Sequence, residues 1–209
     1  SSVYGSNRKL PFKESDLTAH PVSLYAATKR SNELLAHSYS NLYGINTIGL
    51  RFFTVYGPWG RPDMAPMIFA DAIINEKPIR VFNFGKMSRS FTYIDDVIEA
   101  IGKLIEKPAL PDNDFDKSYP NPSTSWNPYR VFNIGNQNSI NLMDFISTME
   151  KELGKNSIRE FAEMQDGDVK DTVADNSKIM NWIGDIKETS LSTGVKKFVT
   201  WYKSFYNCN

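Results

Sequence analysis

The 209 residues contain one cysteine, Cys208, and two histidines, His20 and His37. A single cysteine excludes an internal disulfide and a cysteine-based zinc site. Two histidines give little support to a His-rich metal site or a Ser–His–Asp triad, and no metal is expected. Charge of one sign is also lacking: 24 Lys+Arg balance 24 Asp+Glu, and nothing electrostatic calls for nucleic acid. No apolar run approaches the about 18–20 residues of a membrane span. The segment Ser1-Ser2-Val3-Tyr4-Gly5 has neither the charged start nor the apolar stretch of a signal peptide. No membrane partner is expected, and the location read from this is cytoplasmic. The twelve glycines include no G-x-G-x-x-G. Gly57 and Gly60 are the nearest approach, in a turn after a strand. These residues therefore lack the loop that normally holds a dinucleotide's pyrophosphate at a helix N-terminus.

What is present suits a folded chain. Hydrophobic residues make up 41% and charged residues 23%, which excludes general disorder, and the length suits one to two domains. Residues 6–20 are polar and turn-rich, which predicts a surface loop. From Val22 to Tyr43 there is no Gly or Pro, and Gly44 supplies a C-terminal stop, which predicts a helix. The run from Asn46 to Val55 is rich in β-branched and aromatic residues and predicts one buried strand. Further helices are expected over 65–75, from Asp95-Asp96 to 106, from Asn141 to Gly154, over 176–182 and over 191–206. Further strands are expected at 79–84, 89–93, 129–134 and 157–163. Asp95-Asp96 and the Asn141/Asp144 pair read as helix caps. Val3-Tyr4 reads as the end of a strand, and residues 108–129 as a long exposed loop. Strands alternate with helices, so the class is α/β.

Among residues that carry chemistry, Tyr25 and Lys29 come first. Four apart on the expected helix, they share a face. A phenol is a poor base at neutral pH, and a neighbouring ammonium favours its phenolate. Such a pair can take a proton from a sugar hydroxyl. Alone the spacing is weak: with ten tyrosines, about one such pair arises by chance, and a helix-surface pair explains an isolated match.

Context adds specificity. Ser1-Ser2-Val3-Tyr4-Gly5, Pro21-Val22-Ser23-Leu24-Tyr25-Ala26-Ala27-Thr28-Lys29 and Leu50-Arg51-Phe52-Phe53-Thr54-Val55-Tyr56-Gly57-Pro58 follow one another in order. Together they resemble the extended short-chain dehydrogenase/reductase superfamily. More narrowly, the chain is similar to nucleotide-sugar epimerases, closest to UDP-glucuronate 4-epimerases. Trp59-Gly60-Arg61-Pro62-Asp63-Met64-Ala65, Val81-Phe82-Asn83-Phe84-Gly85, Arg89-Ser90-Phe91-Thr92-Tyr93-Ile94-Asp95-Asp96 and Gln165-Asp166-Gly167-Asp168-Val169 carry the same likeness. It runs over nearly the whole chain and is weakest over 108–129.

The resemblance implies NAD as cofactor and a UDP-sugar as substrate. It implies the C-terminal part of a Rossmann-like doubly wound sheet plus a small α/β substrate-binding domain. Residues 1–62 would be the remnant of the NAD-binding domain. Residues 63–209 would be mainly the substrate domain, with some segments returning to the sheet. Tyr25 matches the family's catalytic base, and Lys29 the lysine on the nicotinamide ribose. Thr54 and Arg61 would face the sugar carboxylate, which a guanidinium can grip in a fork. Val81 and Phe82 match the segment that holds uracil, Arg89 an arginine on the diphosphate, and Asp168 a carboxylate on the ribose hydroxyls. Each has a plainer reading too: a solvated loop cation for Arg61, core for the 81–84 strand, a strand-edge cation for Arg89 and a turn carboxylate for Asp168.

Two departures stand out. Ser90 and Asp166 replace an Asp and a Pro frequent in the family pattern. Neighbouring chemistries differ at the first residues. Dehydratases carry Asp-Glu and uronate decarboxylases a Glu where this sequence has Ser1-Ser2, which favours simple epimerisation. The family's catalytic Ser or Thr falls four residues before Tyr4, ahead of Ser1, as does its Gly-rich loop. The expectations are therefore a part of an NAD-dependent epimerase that is inactive alone, and a homo-oligomer, possibly with swapped elements. The alternatives are a non-catalytic UDP-sugar-binding or interaction fragment, or another nucleotide-sugar epimerase or dehydratase.

Overall fold

The computed structural model describes residues 1–164 and 169–208. Helix α1, Leu24–Tyr43, begins where the Ser23 hydroxyl accepts from the Ala26 N–H at 3.1 Å. It ends at Gly44, left-handed at φ 65°, whose N–H returns to the Ser40 carbonyl. The Gly44 stop is the one the sequence predicts; the Ser23 cap is not singled out there. The expected strand over 46–55 is two strands: β1, Thr47–Phe52, and β2, Thr54–Tyr56. Phe53 breaks it. Its ring is buried against Tyr4 and Phe12, and the Val55 N–H bonds back to its carbonyl. The partner changes at that residue. Strand β1 runs parallel to β6, Tyr129–Ile134, whereas β2 runs parallel to β5, Phe91–Tyr93.

Strand β3, Pro78–Val81, pairs in parallel with β8, Ile158–Phe161. Strands β4, Ser88–Arg89, and β7, Ile140–Asn141, form a short antiparallel pair. The remaining helices are α2 Ala65–Ile74, α3 Ile94–Glu106, α4 Leu142–Leu153, α5 Ser177–Ile183 and α6 Leu191–Tyr206. With its parallel pairs and intervening helices the class is α/β, as the alternating pattern predicts. The largest core joins α2, β3, β5, α4 and α6 around Ile73, Phe145, Ile146 and Phe198. A second joins α3, β6 and α5.

Four local expectations are corrected. Ser2–Tyr4 is a 3₁₀ turn, not a strand end, because the Tyr4 and Gly5 N–H groups bond to the Ser1 and Ser2 carbonyls. The 79–84 strand stops at Val81. Asn83 and Phe84 then take φ 48° and 52°, a left-handed pair no strand accommodates. Asp96 is not a cap. Tyr93 holds that position, and the buried Asp96 carboxylate accepts from the Thr189 N–H at 2.7 Å and its hydroxyl at 2.6 Å, tying α3 to the approach to α6. The 108–128 stretch has no helix or strand, but it is anchored rather than free. Asn46 bonds both polar groups of Ala109, Arg130 pairs with Asp112 and Lys178 donates to Ser123. Ala109, Ser123 and Ser125 are fully buried.

Candidate active site

Helix α1 delivers Tyr25 and Lys29 one turn apart, and the Lys29 ammonium sits 5.0 Å from the Tyr25 ring centroid. This is cation–π distance. Both side chains line a cleft of about 380 Å³, within the range of small-molecule sites. One wall is α1, the other is β1, and the 3₁₀ turn with Ser1 and Ser2 closes an end. Among the described residues β1 pairs with β6 alone, so its second edge lies along this cleft.

The floor holds a buried ion pair that the sequence reading did not single out. Arg51 donates from Nε to Glu33 Oε1 at 2.7 Å and from Nη2 to Oε2 at 3.0 Å. Arg30 adds a contact to Oε2 at 2.7 Å. Burial pushes the Glu33 carboxyl up, but the bonds and charge of Arg51, then of Arg30, outweigh it and hold the group below the usual carboxylate range. Arg51 also lies 4.9 Å from the Tyr4 ring centroid and donates to the Glu14 carbonyl. Burial raises the Tyr4 phenol to about 12. Glu33 is four residues beyond Lys29, so this pair fastens the Tyr25–Lys29 face of α1 to β1. The available signal was a lone arginine inside an otherwise apolar strand, because a charge that far inside needs a partner.

Arg61 lies in the turn that follows β2. Its Nε and Nη2 donate to Asp63 Oδ1 and Oδ2 at 3.1 and 2.8 Å, and Nη2 reaches Met64 Sδ at 3.6 Å. Asp63 is the main cause of a raised Arg61 pKa, and the Tyr25 phenol contributes a smaller part. The turn is shaped by Gly57 at φ 146°, where a Cβ would run into Ile94. It is steadied by Trp59, whose ring meets Phe205 at 4.9 Å and Trp201 at 5.5 Å on α6. Thr54 opens β2 half-buried, and its N–H is bonded to the Ser90 carbonyl.

The remaining candidates sit on other strands. Val81 is fully buried and its carbonyl accepts from Ala162, so its side chain belongs to the core. Phe82 is partly buried under the Arg80 guanidinium. Phe84, two residues on in the same 81–84 segment, is exposed, and its backbone is left-handed at φ 52°. Arg89 donates from Nη1 to the Lys170 carbonyl at 2.6 Å. Ser90 is buried and donates to the Asn136 carbonyl. Asp168 and Asp166 lie outside the described residues.

Residues 1–135, which include Tyr25, Lys29 and β1, match a family model described as the NAD dependent epimerase/dehydratase family. The chain belongs to this family. Among curated relatives, Protein CapI of Staphylococcus aureus is 50% identical over 206 residues, covering 99% of this chain and 62% of the relative. A probable UDP-glucuronate 4-epimerase of Rhizobium meliloti is 45% identical over 207 residues, covering 99% of this chain and 61% of the relative. The chain thus spans less than two thirds of the length of these relatives. Among solved structures, the UDP-glucuronic acid 4-epimerase of Bacillus cereus in complex with UDP-glucuronic acid and NAD superposes with a TM-score of 0.82. It is 33% identical, over 99% of this chain and 60% of that one.

As a test of cofactor fit in this family member, Lys29 offers ammonium donors and Tyr25 a phenol toward one cleft of adequate volume. That suits the hydroxyl-bearing nicotinamide ribose end of NAD. The 209 residues supply no Gly-rich cradle for its pyrophosphate. Among the described residues no helix is long and apolar enough to cross a membrane.

Proposed function

We propose that this chain is part of an NAD-dependent epimerase that interconverts UDP-glucuronate and UDP-galacturonate through a 4-keto sugar. The observation that carries the reading is the Lys29 ammonium 5.0 Å from the Tyr25 ring centroid, with both side chains lining one cleft. Tyr25 takes the proton of the sugar 4-hydroxyl and returns it after the sugar has turned its other face. Lys29 would donate to the ribose hydroxyls of the cofactor and hold its position beside Tyr25. Arg61, with Thr54, receives the sugar carboxylate. Phe82, Arg89 and Asp168 are assigned to the nucleotide half, with Val81 as structural support beneath it. NAD, when bound, supplies the reversible oxidation at C4.

Without a pyrophosphate cradle, the 209 residues by themselves bind the sugar nucleotide but do not turn it over. A row of exposed apolar residues on α1, including Leu34, Leu35, Tyr39 and Leu42, supports assembly with a second copy. The test is calorimetry of the chain with UDP, UDP-glucose and UDP-glucuronate. The uronate is expected to bind about tenfold more tightly than UDP-glucose, the scale of a charge-assisted bond, with the difference abolished by Arg61→Ala. Equal affinity for the two sugars refutes the carboxylate role. Formation of UDP-galacturonate by the chain with NAD refutes the claim of inactivity.

A further inference from the structure

The Arg61 fork is already filled. The pairing is built by the turn itself. Pro62 has a fixed φ and restricts Arg61 before it, and the Met64 N–H closes the turn on the Arg61 carbonyl at 3.1 Å. The short Asp63 side chain is thereby set to reach back across two residues. It takes the edge formed by Nε and Nη2. The other two-point edge of a guanidinium, Nη1 with Nη2, uses the same Nη2, whose hydrogens face Asp63 Oδ2 and Met64 Sδ. An incoming carboxylate either displaces Asp63 or settles beside it, against its negative charge. In both cases Asp63 opposes the newcomer. Both side chains are about two-thirds exposed, at 64% and 66%, so exchange needs no unfolding.

We propose that Asp63 is a resident competitor for the Arg61 guanidinium, a specificity-determining residue that sets how tightly this site holds a carboxylate-bearing sugar. The proposal rests on the reading that Arg61 receives that carboxylate. Substrate and product of the proposed reaction both carry one, and a competing carboxylate two residues away keeps either exchangeable. A neutral hexose gains nothing from freeing Arg61. The effect of Asp63 therefore appears in the ratio of uronate to hexose affinities, not in sugar-nucleotide binding as a whole.

The experiment is calorimetry of the chain and its Asp63→Asn variant with UDP-glucuronate and UDP-glucose at low salt. Asp71→Asn, which removes the carboxylate of the exposed Lys77–Asp71 pair, controls for overall charge. Asp63→Asn is expected to tighten UDP-glucuronate about two- to fivefold, the range of an exposed ion pair, and to leave UDP-glucose unchanged. Asp71→Asn is expected to change neither. Uronate binding seen only in Asp63→Asn also supports the proposal. Unchanged or weaker uronate binding in Asp63→Asn overturns it, as does an equal gain for both sugars or the same gain in Asp71→Asn. If wild type binds both sugars equally, the carboxylate role of Arg61 fails first. If neither protein binds either sugar nucleotide, the site reading falls and the proposal with it.

Discussion

Replacing Arg51 by Met removes a guanidinium that is 2% exposed from a carboxylate that is 11% exposed. Loss of one partner of a buried pair destabilises a protein by about 3–5 kcal/mol, because the other charge stays behind. Here the Arg30 contact at 2.7 Å remains on Glu33, so the expected loss lies at the low end, about 3 kcal/mol. For a chain of this size that lowers Tm by about 6–12 °C. Urea denaturation and calorimetry read both quantities. The double variant Glu33→Gln/Arg51→Met, with no stranded charge, should lose less than the sum of the two singles. Acid adds a signature. The folded pKa of Glu33 lies below its unfolded value, so its contribution is complete above the unfolded pKa and disappears as pH falls through the folded one. That part of the acid profile should flatten in Arg51→Met. A loss below about 1 kcal/mol, the scale of a surface pair, would refute the argument that this pair fastens α1 to β1.

Glu14 gives the opposite pH dependence. Burial raises its pKa above the ordinary value despite the bond from the Asn133 N–H, so its stabilising contribution falls as pH rises through that raised value. Glu14→Gln keeps an acceptor for Asn133 and stays neutral; its Tm should exceed wild type at about pH 7 and approach it near about pH 4. Asp96→Ala leaves the Thr189 N–H and hydroxyl without their acceptor and should reduce stability by about 2–3 kcal/mol in urea; a loss under about 1 kcal/mol would mean that water substitutes for it. For α1, light scattering of Leu34→Glu/Leu42→Glu should give the 23.8 kDa of one chain where wild type gives a multiple. A monomeric wild type removes the proposed self-assembly.

The sequence disclosed what local chemistry controls. Gly44 ends α1, Asn141 and Gly154 bracket α4, and the i, i+4 spacing puts Lys29 on Tyr25. It was silent where distant segments decide. The 46–55 run reads as one strand because nothing local shows that β6 claims its first part and β5 its second. Glu33 and Arg51 are 18 residues apart on different elements, so no periodicity joins them. Asp95-Asp96 has the look of a cap, and only the fold reveals that Thr189 takes Asp96. Arg61 and Asp63 stand two apart in one turn, and nothing in that spacing shows that Asp63 fills the Nε–Nη2 edge of the guanidinium. Val81 and Phe82 were grouped as one strand segment, and a left-handed backbone redirects the chain immediately after them.

The contact of Trp59 with Trp201 and Phe205 couples the two ends of the molecule's design. The turn between β2 and α2, which carries Arg61, borrows its stiffness from α6, well over a hundred residues downstream. Under the proposed role of Arg61, an alteration of Trp201 or Phe205 is expected to reach sugar preference through that turn.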